Sequence, residues 1–388
     1  MLVNRPMRIL IAPDKFKGCL GSREVAGAIA EGVREAVPAA EIELCPMADG
    51  GEGTVDALVA ATGGRLVTRT VTGPLPNMRV EAAFGLLGDG QTAVIEMAAA
   101  SGLHLLRPEQ YDPLATTTYG TGELIVAAIE AGARRIILGI GGSATVDGGI
   151  GCAQACGATI NMHESQLSLR MAHDPPLSGG DLREVFHAGE GNSFLGDIEL
   201  LVACDVDNPL YGPTGAAPVF GPQKGATPEQ VQWLDDALRE LATRLGADDL
   251  ARRPGAGAAG GLGFGLMAFL GARLEPGFAL VARAVGLEER VAQADLVLTG
   301  EGRLDASSLH GKTAIGVAAL CGVRGVPCVA LAGAVDGKAA RSARARGLTA
   351  AFSICDGPME LSRAVAEAPG LIAGVAAQVV SVWARARA

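Results

Sequence analysis

Residues 134–151 read RRIILGIGGSATVDGGIG, and the change from apolar to glycine-rich sequence within them decides the predicted fold. Isoleucine and leucine at 136–138 and 140 predict a strand buried on both faces, as in a parallel sheet with helices on either side. The loop that follows can bring bare N–H groups against an anion, and a helix after it would add its N-terminal partial charge. The stretch therefore indicates a phosphate site, although a tight strand-to-helix turn explains an isolated loop of this kind at least as well.

Two domains are the natural expectation for a chain of 388 residues, because a single hydrophobic core rarely serves so long a chain. A hydrophobic content of 49% with 19% charged residues is typical of a folded globular protein. The formal net charge of −10 argues against nucleic acid or an anionic membrane as a partner, since both select basic surfaces. Local basic residues must therefore provide any phosphate binding.

Cysteine usage and hydropathy indicate the compartment. The eight cysteines are scattered, with no C-x-x-C pair and no cysteine–histidine spacing typical of zinc. No N-terminal segment resembles a signal peptide, and the apolar residues 371–384 are too few to span a membrane. These patterns predict a reduced, cytoplasmic protein.

Strand-like and helix-like segments alternate along the chain, which is typical of a parallel α/β sheet. Three β-rich stretches within 65–97 indicate a meander, residues 227–245 form the clearest helix, and 161–197 show no clear period. Because strand–helix alternation resumes near residue 295, we expect a two-domain α/β protein. In this prediction 7–72 and 293–388 form one discontinuous parallel-sheet domain, 73–292 form an inserted α/β domain, and the active site lies in the interdomain cleft.

Charged side chains follow the predicted strands at the points where the strands end. In open α/β sheets ligands bind at the carboxyl ends of strands, so these loops lie at the expected functional edge. Carboxylates on glycine-rich loops suit Mg²⁺ binding or general-base chemistry better than packing, whereas a single charged turn would be an ordinary solvated surface. The loops contribute Asp14, Lys15, Lys17, Asp49, Glu52, Asp205, Asp207, Asn208, Glu301, Arg303, Asp305 and Lys312.

Two segments come close to nucleotide-binding patterns. GAGAAG at 255–260 fits G-x-G-x-x-G but follows RRP instead of a strand, so close packing explains Gly257 and Gly260 better than a dinucleotide does, and a phosphate or adenosine contact stays open. ASSLHGKT at 306–313 has Ala306 where a P-loop requires glycine. Lys312 can still act as a counter-charge for phosphate at a helix start.

Phosphoryl transfer fits these parts, because it needs oxygen ligands for Mg²⁺, donors and cations for the phosphates, and an acid–base residue near the acceptor hydroxyl. The sequence has no G-x-S-x-G elbow for acyl transfer. We expect Asp49 and Asp205 to supply the acid–base and metal functions, and Lys15 to hold anionic groups together with Arg303 or Lys312. The predicted Mg²⁺ ligands are Asp205, Asp207 and Glu301.

A set of motifs occurs in order between residue 7 and about residue 334: APDKFKG, PMADGGEGTVDAL, TTTYGTGEL, GIGGSATVDGG, ACDVDNPL, VFGPQKGATPEQ, PGAGAAGGLG and TGEGRLD…HGK. As a set they resemble the bacterial glycerate kinase family. The resemblance implies ATP-dependent phosphorylation of glycerate and a flavodoxin-like domain into which a second α/β domain is inserted. Besides the strand-end residues, it implies a substrate- or ATP-binding role for Gly50, Gly51, Thr117, Thr118, Gly120, Gly141, Gly142, Ser143, Asp147, Lys224, Gly257 and Gly260.

Two features depart from this family: Val146 stands where the family usually has Asn, and residues 163–197 match poorly. The resemblance points to conversion of D-glycerate to 2-phosphoglycerate, with a 3-kinase giving 3-phosphoglycerate as the alternative. An NAD-dependent hydroxy-acid oxidoreductase and a non-catalytic ligand-binding protein are alternatives from other classes. The oligomeric state stays open, with a homo-oligomer among the alternatives.

Overall fold

The computed structural model describes residues 5–162, 168–170, 174–188, 195–310 and 312–387. Contacts between Cα atoms divide the chain into two compact units. The first unit comprises the described residues of Met1–Asp49, Asp56–Gly63 and Phe278–Ala388, and the second comprises those of Gly50–Val55 and Gly64–Gly277.

The strands are numbered here in chain order. They are β1 Arg8–Ile11, β2 Glu41–Leu44, β3 Arg65–Thr72, β4 Arg79–Leu86, β5 Thr92–Glu96, β6 Arg135–Gly139, β7 Ile160–Met162, β8 Ser168–Arg170, β9 Val185–Ala188, β10 Glu199–Ala203, β11 Arg273–Glu275, β12 Leu296–Leu304, β13 Cys328–Val335 and β14 Ala350–Ser353.

The α-helices follow the same order. They are α1 Ser22–Ala36, α2 Thr54–Thr62, α3 Ala98–Ser101, α4 Tyr119–Glu130, α5 Ile150–Ala155, α6 Ala216–Phe220, α7 Pro228–Arg244, α8 Asp248–Ala251, α9 Ala258–Leu270, α10 Gly277–Ala284, α11 Leu287–Gln293, α12 Thr313–Arg324, α13 Gly337–Arg344, α14 Leu361–Ala366 and α15 Ala368–Arg387.

The first unit contains a parallel sheet in the order β14-β13-β12-β1-β2. Its central strands β1, β12 and β13 are mostly apolar because side chains on both faces are covered: Ile9 and Ile11 lie in one core with Leu298 and with residues of α1 and α15. All its strands run in one direction, so their carboxyl ends meet at one edge. The loop after β1 runs alongside β12, as the hydrogen bond from Asp14 N to Gly300 O shows.

The second unit contains a mixed sheet in the order β11-β10-β6-β5-β4-β3. The strands β5, β6, β10 and β11 are parallel, whereas β3, β4 and β5 form an antiparallel meander. The α/β class, the meander and the buried strand within 134–151 are thus confirmed. The short strand β11 was not predicted, because three residues carry no readable alternation.

The division of the chain differs from the predicted boundaries at 72/73 and 292/293. The strand β3 lies in the sheet of the second unit, since it pairs with β4 over its whole length. The helices α10 and α11, except Gly277, lie in the first unit. Pairing between distant segments decides these boundaries, and the sequence signals only local turns.

Residues 161–197, predicted to be irregular, fall partly outside the described residues: 163–167, 171–173 and 189–194 are not described. The described remainder includes a small antiparallel sheet in the order β8-β7-β9. The predicted helix at 227–245 is confirmed as α7, with Thr227 Oγ1 accepting from Gln230 N at 3.2 Å and Gln230 Oε1 accepting from Thr227 N at 2.8 Å.

The C-terminal helix α15 extends beyond the apolar residues 371–384 at both ends. It has 20 residues, and within the described parts of the chain it is the one helix long and apolar enough to cross a membrane by length and composition. The expectation that this segment is too short was therefore wrong. The helix packs on α1 through one face that includes Ile372, Ala376 and Val380. The eight cysteines are free thiols.

Candidate functional site

Asp14 lies just after β1, at the carboxyl edge of the sheet in the first unit. Its Oδ1 accepts from the backbone N of Lys15 at 2.7 Å, and its Oδ2 accepts from Thr313 Oγ1 at 2.6 Å. Burial raises the pKa of Asp14 to about 6; the hydrogen bond from Thr313 opposes this rise, and the negative charge of Asp49 adds to it. The half-buried Asp49 is therefore close enough to Asp14 for its charge to act on the Asp14 carboxyl group.

Glu301 lies on β12 beside the Asp14 loop and is 8% exposed. Its Oε1 is buried without a hydrogen-bond partner among the described residues. Burial raises the pKa of Glu301 to about 7, opposed by a hydrogen bond from Ser308 and by the charge of Lys312, while Asp14 raises it further. Two carboxyl groups with pKa values near neutrality thus share this edge, an arrangement that suits proton transfer or cation binding.

Basic side chains surround these carboxyl groups in the first unit. Lys15 is half-buried, and Lys17 is exposed. Lys312 Nζ donates to Ser307 Oγ at 2.8 Å at the start of α12. Arg303 forms an exposed ion pair of 3.2 Å with Asp305. The structure therefore brings together Asp14, Lys15, Asp49, Glu301, Asp305 and Lys312, which the sequence analysis had named on separate loops.

Thr313 and Ser308 are the residues of this edge that sequence reasoning missed. Thr313 binds the carboxylate of Asp14 from a position 299 residues away in the chain. Ser308 contacts Glu301, and its backbone N closes a turn with Asp305 O at 3.0 Å. Both residues belong to the segment ASSLHGKT, whose lysine was predicted to bind phosphate but whose hydroxyl groups were given no role.

In the second unit, the glycine-rich loop around Gly50 packs against the ends of β6 and β10. Gly50 lies against Ala203 and contacts Gly139 through its carbonyl oxygen. Thr54 Oγ1 donates to Gly51 O at 2.5 Å, which closes the loop, and Glu52 is exposed. Val55 N donates to Glu96 Oε1 at 2.9 Å and so fixes the start of α2 on this unit.

The loop after β6 divides into an exposed and a buried half. Gly141 and Gly142 are exposed. Asp147 is fully buried and accepts from the backbone N of Gly149 at 3.1 Å and of Gly151. The N–H groups at the start of the short helix α5 therefore bind the protein's own carboxylate. Of the predicted phosphate loop, Gly141 and Gly142 are the glycines whose backbone reaches the surface of this unit.

Asp147 also joins this loop to the start of α4. Its Oδ2 accepts from Thr118 N at 2.8 Å and from Thr118 Oγ1 at 2.7 Å, while Thr117 Oγ1 donates to Leu177 O at 2.6 Å. Burial raises the pKa of Asp147, and the hydrogen bonds from Thr118 and Gly149 oppose the rise. Thr117, Thr118 and the nearby Gly120 are all buried, and Thr118 binds the loop through Asp147.

Lys224 is buried beneath the same loop. Its Nζ donates to Ser143 Oγ at 2.7 Å and to the carbonyl oxygen of Thr145 at 2.6 Å. Burial lowers the pKa of Lys224 to about 7, while the charge of Asp147 opposes this shift. A cation that is held by neutral oxygens at this depth is costly, which indicates a role beyond packing.

The acidic loop after β10 is exposed. Asp205 Oδ1 accepts from Gly277 N at 2.9 Å, Asp207 is exposed, and Asn208 Nδ2 donates to Thr214 O at 2.8 Å. Among the residues that the structure describes, no three His, Cys, Asp or Glu side chains lie close enough to hold a metal ion. Asp205 and Asp207 lie in the second unit and Glu301 in the first, and their role as Mg²⁺ ligands stays a prediction.

The segment 255–260 packs against protein backbone. Gly257 lies against Pro209 O, and Gly260 against Thr145 O, with Gly148 N donating to Gly260 O at 3.1 Å. These contacts agree with the close-packing interpretation of GAGAAG. A nucleotide contact of Gly257 or Gly260 stays a prediction.

A mixed α/β fold with acidic and basic side chains at strand ends and an exposed glycine loop is typical of enzymes that act on anionic small molecules. Comparison with known proteins gives the family. Residues 9–384 match the glycerate kinase family, and the chain belongs to it.

Relatives cover most of this chain. A protein of Bacillus subtilis (strain 168) named glycerate kinase is 47% identical over 92% of this chain and 93% of its own length. A protein of Escherichia coli (strain K12) named glycerate 2-kinase is 48% identical over 85% of this chain and 86% of its own. A crystal structure from Salmonella typhimurium LT2, assigned as a glycerate kinase 2, has a TM-score of 0.87 and 44% identity over 99% of this chain and 100% of that chain.

Proposed function

We propose that this enzyme of the glycerate kinase family transfers the γ-phosphoryl group of ATP to the C2 hydroxyl of D-glycerate, giving 2-phosphoglycerate and ADP. The observation that carries the proposal is the family match over residues 9–384. A cytoplasmic location, small-molecule partners only, and the prediction of a flavodoxin-like domain with an inserted domain and a cleft site belong to the same proposal.

The residues fit Mg²⁺ as a cofactor bound mainly through substrate. Mg²⁺ keeps several waters and is usually held by one or two carboxylates plus substrate phosphates, so a cluster of three protein ligands is not required. Glu301, whose buried Oε1 has no partner among the described residues, and Asp205 with Asp207 are the carboxylates that would hold it. When bound, the ion would neutralise charge on the phosphates.

The protein's own groups would supply the other parts of the reaction. Asp49 and Asp205 are the candidates for accepting the proton of the acceptor hydroxyl. Lys15, Arg303 and Lys312 are the candidates for holding phosphate or carboxylate oxygens, because an acidic protein must concentrate its cations where two anionic substrates meet. Lys312 lies at the start of α12, where the helix dipole also favours an anion.

The first test is ADP release with ATP, Mg²⁺ and a series of hydroxy acids. We expect ADP release with glycerate and no turnover of NADH, which separates the kinase from an oxidoreductase. The absence of any turnover would indicate a binding protein. Asp49→Asn and Asp205→Asn should each lower kcat by about 10²-fold or more. Asp56→Asn, at an exposed carboxylate on α2, is the matched control and should keep normal turnover.

The cation assignments have a separate test. Lys15→Met, Arg303→Met and Lys312→Met should each raise KM for ATP or glycerate by roughly tenfold, about 1.4 kcal/mol. Lys338→Met, at an exposed lysine on α13, is the control. A variant with unchanged KM for both substrates removes that residue from the site.

The position of phosphorylation depends on geometry, because the acceptor oxygen must lie in line with the γ-phosphate. A cation that grips the carboxylate closely favours transfer to the adjacent O2, and the name of the E. coli relative supports this branch. Enolase gives the readout: phosphoenolpyruvate should form without a mutase. If phosphoenolpyruvate forms only after phosphoglycerate mutase is added, the acceptor is O3 and the 2-kinase proposal is wrong.

A further inference from the structure

Lys224 and Ser143 form a buried pair beneath the exposed glycines of the second unit. Lys224 is 5% exposed, and its two hydrogen bonds go to Ser143 Oγ and to the carbonyl oxygen of Thr145. Asp147, the carboxylate whose charge reaches Lys224, is itself bound by Thr118 and Gly149. Both hydrogen bonds of the Lys224 amino group therefore orient groups of the loop, one a hydroxyl and the other a carbonyl.

The direction of these hydrogen bonds constrains the Ser143 hydroxyl. In its charged form, which a bound anion favours, the ammonium group of Lys224 can only donate, so Ser143 Oγ must then accept from it. The single hydroxyl proton of Ser143 is then available to donate, and the structure shows no acceptor for it among the described residues. Ser143 is 8% exposed and directly follows the exposed Gly141 and Gly142.

We propose that Lys224 is a positioning residue that holds Ser143 as an obligatory hydrogen-bond donor to an anionic oxygen of a substrate bound against Gly141 and Gly142. This inference rests on the proposed function, because it takes the ligand to be a substrate of the kinase reaction. The shared chemistry is a phosphate or carboxylate oxygen. Nearby bare backbone and a polarised hydroxyl suit such an oxygen, and Lys224 itself never touches it.

A purely structural role for Lys224 makes a different prediction. In that case Lys224 would only link its own segment to the loop after β6 through the Thr145 carbonyl group. Ser143 could then be changed without effect on substrate binding. A double-mutant cycle separates the two roles, since a residue that acts through another loses its effect when the second residue is removed.

The experiment measures kcat, KM for ATP, KM for glycerate and the melting temperature of four proteins: wild type, Ser143→Ala, Lys224→Met and the double variant. Each single change should raise one KM by roughly tenfold, the size of a lost hydrogen bond to a charged group. The double variant should have nearly the KM of Ser143→Ala. A shift in KM for ATP identifies a phosphate oxygen, and a shift in KM for glycerate identifies the carboxylate.

Two further variants keep the test decisive. Ser143→Thr retains the hydroxyl and should restore most of the affinity. Thr145→Val removes a buried hydroxyl from the same loop, keeps the carbonyl group that Lys224 binds, and should leave both KM values unchanged. If Lys224→Met fails to fold, Ser143→Ala against Ser143→Thr still tests the donor.

The inference is overturned if Ser143→Ala leaves both KM values unchanged, or if the effects of the two single changes multiply to about a hundredfold in the double variant. If the wild type turns over glycerate and ATP and one of these two results is found, this inference is wrong but the proposed function stands. Absence of wild-type turnover with glycerate and ATP removes the proposed function itself, so the two failures are distinguishable.

Discussion

At the scale of single residues, the second unit buries two opposite charges by different means. Asp147 is fully buried but accepts hydrogen bonds from Thr118, Gly149 and Gly151. Lys224 is buried with neutral oxygens only, and burial lowers its pKa from 10.5 to about 7, against the opposing charge of Asp147. Burial therefore disfavours the charged form of both groups, and backbone and hydroxyl hydrogen bonds offset this cost at the carboxylate.

The pKa of Lys224 makes stability depend on pH. Between pH 7 and 10.5 the unfolded chain binds more protons at this lysine than the folded chain does, so its contribution to the free energy of unfolding rises with pH and is lost as pH falls. From pH 7 to pH 9 the wild type should gain about 2 kcal/mol relative to Lys224→Met. Chemical denaturation at several pH values measures this difference.

The control for this measurement is Lys338→Met, which changes an exposed lysine and should follow the wild-type pH dependence. Parallel curves for the wild type and Lys224→Met would show that Lys224 stays charged in the folded protein throughout this range.

At the scale of elements, the loop 139–149 and the start of α9 support each other through backbone contacts. Gly260 has φ +70°, and a Cβ there would overlap the carbonyl oxygen of Thr145, the same oxygen that accepts from Lys224. The glycines of GAGAAG are thus tied to the position of the buried lysine. This contact links the packing of one segment to the geometry of the other.

Gly260→Ala should destabilise the protein by about 3 kcal/mol or more, because it combines a strained backbone conformation with a clash. Gly246→Ala is a matched comparison: Gly246 has φ +61° but no atom within 4 Å of the added Cβ, so it should cost only about 1–2 kcal/mol. Urea denaturation of both variants gives the difference. Equal losses would mean that the loop shifts to accommodate the methyl group and that the contact is not restrictive.

Sequence predicted the elements whose signals are local. The helix α7 was predicted because Thr227, Pro228 and Gln230 cap it within one turn. The bond between Thr313 and Asp14 joins positions 299 residues apart, and no local pattern carries such a pair. The burial of Lys224 was equally hidden, because the loop that covers it comes from around residue 143.

At the scale of the whole molecule, the second unit has a core of its own. Its buried apolar residues, from Val67 to Ala272, lie within the continuous segment 64–277. The remaining part of this unit is the short segment Gly50–Val55. That segment contacts Gly139 and Ala203 through Gly50, and its Val55 N donates to Glu96 Oε1 at 2.9 Å.

A fragment of residues 50–277 should therefore fold alone and unfold in one cooperative transition, because it keeps both this core and the segment that caps the ends of β6 and β10. A fragment of residues 64–277 should retain the core but be less stable by about 2 kcal/mol, the size of a hydrogen bond to a charged acceptor. Circular dichroism followed through a urea titration compares the two. The fragments differ by Gly50–Val55 and by Asp56–Gly63 of the first unit, so equal stability would mean that residues 50–63 add nothing to this unit. The absence of a cooperative transition in the longer fragment would mean that the core depends on the first unit.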